Sequence, residues 1–221
     1  MAPTITQLRF RRRGTEVEVH LDGQPAFSLD ALRAARLRVG QVLTPDQSEA
    51  LKAESDTQRA WSQALAYLGR RAYSRKEMER YLQRKGHPVP LCRRVLQRLA
   101  AENYLDDRAF AQMWVQQRLR TSPRGKLALR YELQQKGIER NLISEILAEL
   151  DESEAASAAA QSRLPRFKAL DERTLTLKLS RFLAGRGFRG ETIAATCRRA
   201  LAARSADPDD SGLPDPPPKA L

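Results

Sequence analysis

YLQRKG at residues 81–86, ELQQKG at 132–137 and FLAGRG at 182–187 align without a gap. Their final glycines, Gly86, Gly137 and Gly187, lie 51 and 50 residues apart. Recurrence at such a period is the mark of a repeat architecture. Four residues before each glycine stands Leu82, Leu133 or Leu183, and eight before it Met78, Leu129 or Leu179. This i, i+4 spacing puts one apolar stripe on a helix that ends at the glycine. Lys85, Lys136 or Arg186 comes immediately before it, a cation suited to the negative end of a helix, and the glycine reads as the left-handed residue that closes the helix. Further on, Val95, Leu96 and Leu99 of the first copy match Ile146, Leu147 and Leu150 of the second, where the third carries Thr196, Cys197 and Ala200. Each unit therefore reads as three helices, and three units are expected to stack.

Helix-start signals sharpen the boundaries. Ser74 with Glu77 makes a capping box opening a helix over about 75–85. Asp106 reads as the N-cap of a helix over about 107–120, and Asp171 of one over about 172–185. Pro123 and Gly125 separate the first two helices of the middle unit. The first 56 residues follow a different rule. Val17, Val19 and Leu21 alternate ahead of Asp22-Gly23, a hairpin turn, with Ile5, Leu8 and Phe10 suggesting an earlier strand and Phe27 and Leu29 a later one. Thr44-Pro45-Asp46-Gln47 then opens a short helix. The expected fold is mainly α: three tandem three-helix repeats forming a curved solenoid, preceded by a small N-terminal β-ribbon. The boundaries run 1–56 for the ribbon and short helix, 57–104, 105–152 and 153–204 for the repeats, and 205–221 for a tail.

The chain of 221 residues carries 39 Lys and Arg against 27 Asp and Glu, a net charge of +12, and its 41% apolar residues suffice for a core. The charge is unevenly spread. Residues 57–104 and 155–204 each hold eleven basic and three acidic side chains, whereas 105–154 hold eight and nine. So basic a surface points to an acidic partner. Residues 205–221 hold four aspartates and five of the twelve prolines and read as disordered. No apolar run approaches a membrane span and MAPTITQLRF lacks the apolar stretch of a signal peptide, so a cytoplasmic location without membrane attachment is expected.

Nothing points to catalysis, a metal or a cofactor. Two cysteines, Cys92 and Cys197, are too few and too far apart for a zinc site or disulfide framework and read as small core residues. Of the two histidines, His87 reads as a surface residue after a helix-ending glycine, and His20 as outward-facing on a strand. Asp106-Asp107 suits helix capping better than acid–base work. No glycine spacing fits a P-loop or a dinucleotide site. Trp61, Tyr67, Phe110, Trp114, Tyr131 and Phe182 recur at helical spacing and read as core in preference to a base-stacking platform.

The basic side chains fall in stripes. Lys76, Arg80 and Arg84 are spaced i, i+4, i+8 opposite Met78 and Leu82, Arg94 and Arg98 are spaced i, i+4 beside Arg93, and Arg70 and Arg71 precede them. Like charges at i, i+4 repel and gain nothing from folding, so such stripes suit phosphate or carboxylate partners. The third unit offers Lys178, Arg181, Arg186, Arg189, Arg198 and Arg199. A solvated face is the plain alternative. The charge is spread along the chain with no single recognition helix, which argues against sequence-specific reading of DNA.

ALAYLGRRAYSRKEMERYLQRKG (64–86), YLDDRAFAQMWVQQR (104–118), RGKLALRYELQQKGI (124–138) and LKLSRFLAGRGF (177–188) resemble, in order and at the repeat spacing, the signatures of RecX, the family of regulatory proteins of the RecA recombinase. The resemblance covers about residues 57–204 and adds Arg124, Lys126 and Arg130 to the candidate contacts. It implies a solenoid lying in the groove of a RecA–single-stranded DNA filament. It also implies a monomeric, non-enzymatic regulator, mostly an inhibitor, that limits filament extension, strand exchange, ATP hydrolysis and coprotease activity. Direct binding to single- or double-stranded DNA is expected to be weaker. The residues alone leave a stand-alone basic DNA-binding protein or transcriptional regulator open, and a scaffold whose charge serves solubility.

Overall fold

The computed structural model describes residues 2–10 and 16–205, so the acidic Pro-rich stretch lies outside the described residues but for Ser205, the last residue of a helix. The chain divides into two compact units, Met1–Asp106 and Asp107–Leu221.

The first unit begins with an antiparallel sheet of order β1 (Ile5–Phe10), β2 (Glu16–Leu21), β3 (Gln24–Asp30). Asp22 and Gly23 take φ of +49° and +81°, the two left-handed residues that a tight hairpin matched to strand twist requires. Alternation buries Ile5, Val17, Val19 and Leu29 with Ala34 and Leu43. Ala34 belongs to the single turn α1 (Ala31–Ala34). A ribbon this small needs a partner. It finds one in α2 (Pro45–Leu68), whose Ser55 hydroxyl accepts from the Ser28 N–H at 3.2 Å.

The Thr44–Gln47 capping box is present, but the helix it opens is not short: α2 runs 24 residues, through position 56 without a break. The physical reason is that its two ends serve two cores. Leu51 packs against the sheet, while Ala60, Trp61 and Ala64 join α3 (Arg75–Arg84) and α4 (Val89–Ala101) around Met78, Leu82, Leu96 and Leu99. Burying each such Leu contributes about 1.5–3 kcal/mol.

The second unit holds two further three-helix groups. Helices α5 (Asp107–Thr121), α6 (Lys126–Gln135) and α7 (Arg140–Ala148) enclose Phe110, Val115, Leu129, Leu133, Ile143 and Leu147. Helices α8 (Glu152–Gln161), α9 (Glu172–Gly185) and α10 (Gly190–Ser205) enclose Leu175, Leu179, Leu183 and Phe188, with a short 3-10 turn at Leu164–Phe167. The third group is built from smaller parts. Thr196, Cys197 and Ala200 on α10 are all buried, and α8 meets them with Ala155, Ala156, Ala159 and Ala160. Small residues on both helices let the same bundle close with a thinner core. The fold is thus mainly helical, with a three-stranded N-terminal sheet.

All three repeat glycines close their helices in the same way. Gly86, Gly137 and Gly187 have φ of +84°, +80° and +79°. The following N–H, of His87, Ile138 or Phe188, reaches back to the carbonyl of Leu82, Leu133 or Leu183 at 3.2, 3.0 and 3.2 Å. The glycine N–H bonds to Gln83, Gln134 or Ala184, completing the Schellman pattern. The residue after the glycine is then turned inward, and this corrects the reading of His87. It is 5% exposed, in the place that Ile138 and Phe188 fill at 4% and 3%. Its Nε2 lies 3.0 Å from the Gln63 amide oxygen, and burial pulls its pKa below the ordinary value, helped by nearby Arg59 and opposed by Asp56. His20 is also less open than alternation suggests. A register shift after Val19 turns it beside Glu18, 3.5 Å away, where it is mostly shielded.

Candidate partner-binding surface

The cations divide into those used by the fold and those it leaves over. In the first unit Tyr67 lies between Tyr73 and Tyr81, with ring centroids 4.0 and 3.8 Å away, and the Arg71 guanidinium sits 3.7 Å over Tyr73. Arg71 also pairs with Glu77 at 3.2 Å, Lys76 with Glu79 at 2.7 Å, and Arg98 with Glu102 at 2.7 Å while stacking 4.0 Å over Trp61. These four aromatic rings each have an inward role, so their cations serve local packing as well as charge. Arg70 stands 5.9 Å over Tyr67.

Arg80, Arg84, Arg93 and Arg94 are different. All four are exposed, and among the described residues none makes a hydrogen bond or ion pair. Arg80 and Arg84 project from α3 opposite the fully buried Met78 and Leu82. Their mutual repulsion costs a few tenths of a kcal/mol and folding returns nothing for it.

In the second unit the middle group turns several of its cations inward, while Arg108, Arg120 and Arg140 stay exposed. Glu132 accepts from the Trp114 indole at 2.8 Å and from Arg118 at 2.7 Å, and Arg124 approaches its other oxygen at 3.0 Å. Arg118 and Lys136 each lie 4.6 Å from the Trp114 ring. Arg130 and Lys126 are half-buried. In the third group Arg186 bonds to the Ser122 hydroxyl and the Pro123 carbonyl, both at 3.0 Å, and lies 4.7 Å over Phe182. Burial lowers its pKa, and the nearby guanidinium groups of Arg124 and Arg163 add to the effect. Arg186 therefore holds the α5–α6 connection to the end of α9. Lys178, Arg181, Arg189 and Arg198 are exposed and unpaired among the described residues, whereas Arg199 reaches the Ser157 hydroxyl at 3.4 Å.

Two features escaped the sequence reading. Tyr131, grouped there with the core aromatics, is 63% exposed, and Leu127 one turn earlier is 51% exposed. The register could have shown this: Tyr131 stands six residues before its glycine, where the other copies carry the outward Arg80 and Arg181. The second is the start of α6. Gly125 offers no capping side chain. Instead its N–H donates to the Arg186 carbonyl at 2.9 Å, that of Lys126 to the buried Glu152 carboxylate at 2.7 Å, and that of Leu127 to the Gly187 carbonyl at 3.1 Å. Glu152 also accepts from the Thr192 hydroxyl at 3.3 Å.

Among the described residues no group of His, Cys, Asp and Glu could hold a metal, both cysteines are buried and unpaired, and no helix is long and apolar enough to cross a membrane.

Residues 60–99, 106–147 and 151–196 match the first, second and third three-helix domains of RecX. The chain is 38% identical over 143 residues to a "Regulatory protein RecX" of Prosthecochloris aestuarii, covering 65% of this chain and 94% of that one. It is 32% identical over 186 residues to the protein of the same name from Geobacillus kaustophilus, covering 81% and 69%. A crystal structure of regulatory protein RecX superposes with a TM-score of 0.69 at 24% identity, over 88% of this chain and 98% of the other. That of RecX from Lactobacillus salivarius gives 0.62 at 21%, over 66% and 97%, and these two likenesses speak for the fold.

Proposed function

The chain belongs to the RecX family of regulatory proteins, and from that premise we propose that it binds the RecA–single-stranded DNA filament and restrains RecA. It acts without catalysis of its own, limiting filament extension and with it strand exchange, ATP hydrolysis and coprotease activity. The observation that carries this reading is the set of exposed, unpaired cations on the second and third helices of the first and third repeats and on the turn just before the last of these helices: Arg80, Arg84, Arg93 and Arg94 in one, Lys178, Arg181, Arg189 and Arg198 in the other. Folding does not explain them. A filament that presents phosphates and carboxylates along its length does, because each pairing releases bound counterions and adds to affinity. Arg71, Arg98, Arg124 and Arg186 have partners within the fold, so their part is to position their neighbours.

The test is DNA-stimulated ATP hydrolysis by the cognate RecA with this protein titrated in at two salt concentrations. Inhibition that weakens as salt rises is expected. The double reversal Arg80→Glu with Arg94→Glu should weaken inhibition at least about tenfold with helicity unchanged; full inhibition by that variant refutes the role of these arginines. Binding to bare DNA as tight as to the filament, with a steep salt slope, would instead favour a DNA-binding protein acting alone.

A further inference from the structure

On this basic molecule a concave surface of the second unit is lined mainly by acidic charge. Helices α5, α7 and α8 of the second unit border a groove of about 580 Å³. Its floor carries the half-buried Leu119, Ile146 and Leu150 and the exposed Ala158, flanked by the amides of Gln112 and Gln116. Its acidic lining is Glu145, Glu149, Glu154 and Asp151, the last engaged in capping α8, with Arg108 as the single cation of the lining and already paired with Glu145.

Folding accounts for only part of that lining. Glu154 lies in the first turn of α8, where a negative charge complements the helix dipole. Glu145 and Glu149 stand at the opposite kind of place, the last turn and C-cap of α7, a helix with no basic residue in its last turn. Acidic side chains there oppose the dipole, and as an i, i+4 pair they repel one another. Arg108 relieves Glu145; among the described residues the carboxylates of Glu149 and Glu154 have no ion-pair or hydrogen-bond partner. A phosphate backbone cannot use such a surface. A peptide segment with cationic side chains at its edges and an apolar side chain toward the floor is complementary to it in both charge and hydropathy.

We infer that this groove receives a cationic, apolar-anchored segment of a protein partner. The inference rests on the filament reading and deepens it: the partner is the recombinase, held here by its protein surface while the arginine stripes face the polyanion.

The experiment compares binding to RecA filaments on single-stranded DNA with binding to the same oligonucleotide alone. Glu149→Lys with Glu154→Lys raises the net charge from +12 to +16, so a purely electrostatic attraction to DNA would strengthen. The expected result is the reverse for the filament, an affinity lower by about tenfold, with bare-DNA binding equal or tighter. Glu49→Lys with Glu139→Lys, the same charge change on exposed residues outside the groove, should leave filament binding undiminished. The milder Glu149→Gln with Glu154→Gln should fall between, and circular dichroism checks that each variant is folded. Filament binding kept or raised in the groove reversal overturns the groove and leaves the filament reading intact. A wild-type protein that fails to bind the filament overturns both.

Discussion

Helices α3 and α6 hold equivalent places in the first and second repeats, yet their N-termini are satisfied in opposite ways. At α3 the Ser74 hydroxyl accepts from the Glu77 N–H at 3.1 Å and the Glu77 carboxylate reaches back to the Ser74 N–H at 3.3 Å. Everything needed lies within four residues. At α6 the first three N–H groups go to Arg186, Glu152 and Gly187, residues 26 to 61 positions away. The first helix carries its own start; the second borrows one from the repeat that follows. The comparison teaches that one repeat pattern can be stabilised locally or by its neighbour, and that the second route fastens two repeats together.

The largest effect should come from the contact that makes the borrowed cap possible. A Cβ on Gly125 would lie 2.2 Å from the Gly187 carbonyl oxygen and 2.4 Å from the Phe188 nitrogen. Both are backbone, with little freedom to yield. Gly125→Ala should cost about 3 kcal/mol or more in urea unfolding. A neutral result would mean the two repeats do not approach as described. Next comes Glu152→Ala, which strands the Lys126 N–H and the Thr192 hydroxyl and should cost about 1–3 kcal/mol. Hydrogen exchange should show the loss at the start of α6 as well as in α8. By contrast Ser74→Ala should cost about 1 kcal/mol and its exchange effect should stay within the first unit. An effect in α6 as well would break the distinction between local and borrowed caps.

The smallest effect is a pH dependence. Only the first repeat closes its second helix with a titratable inward residue, His87, where the others use Ile138 and Phe188. Burial holds the His87 pKa below its ordinary 6.5, so the unfolded chain takes up the proton first. Stability from this group is whole above about pH 6.5 and declines as the pH falls through that value toward the lower folded pKa. Unfolding followed between pH 7.5 and 5 should show the decline, and His87→Ile should remove this component. An unchanged slope in that variant would place the dependence elsewhere.

The helical repeat was legible because its signals are local. Apolar residues four and eight positions before a glycine place a stripe, and a glycine free to take positive φ ends the helix, whatever packs around it. The capping boxes at Thr44 and Ser74 and the Asp171 cap are likewise set by neighbours in sequence. Residue type alone misplaces His87 and Tyr131, because their burial is set by position in the repeat. Carrying the alignment one residue past the glycine puts His87 with Ile138 and Phe188, and six residues before it puts Tyr131 with two surface arginines.

For the cations, sequence supplied the stripes, and the tertiary structure sorted them. Arg80 and Arg186 look equally available in the chain, yet one is exposed and unpaired while the other joins two loops 63 residues apart. Local order therefore determined the periodicity, the helix ends and the total charge, since those depend on dihedral preference and composition alone. Which charges the fold leaves unpaired, how α6 begins and where an acidic groove opens were decided by the folded structure. Each depends on groups far apart in the chain meeting at hydrogen-bond distance, and no short-range pattern encodes such a meeting.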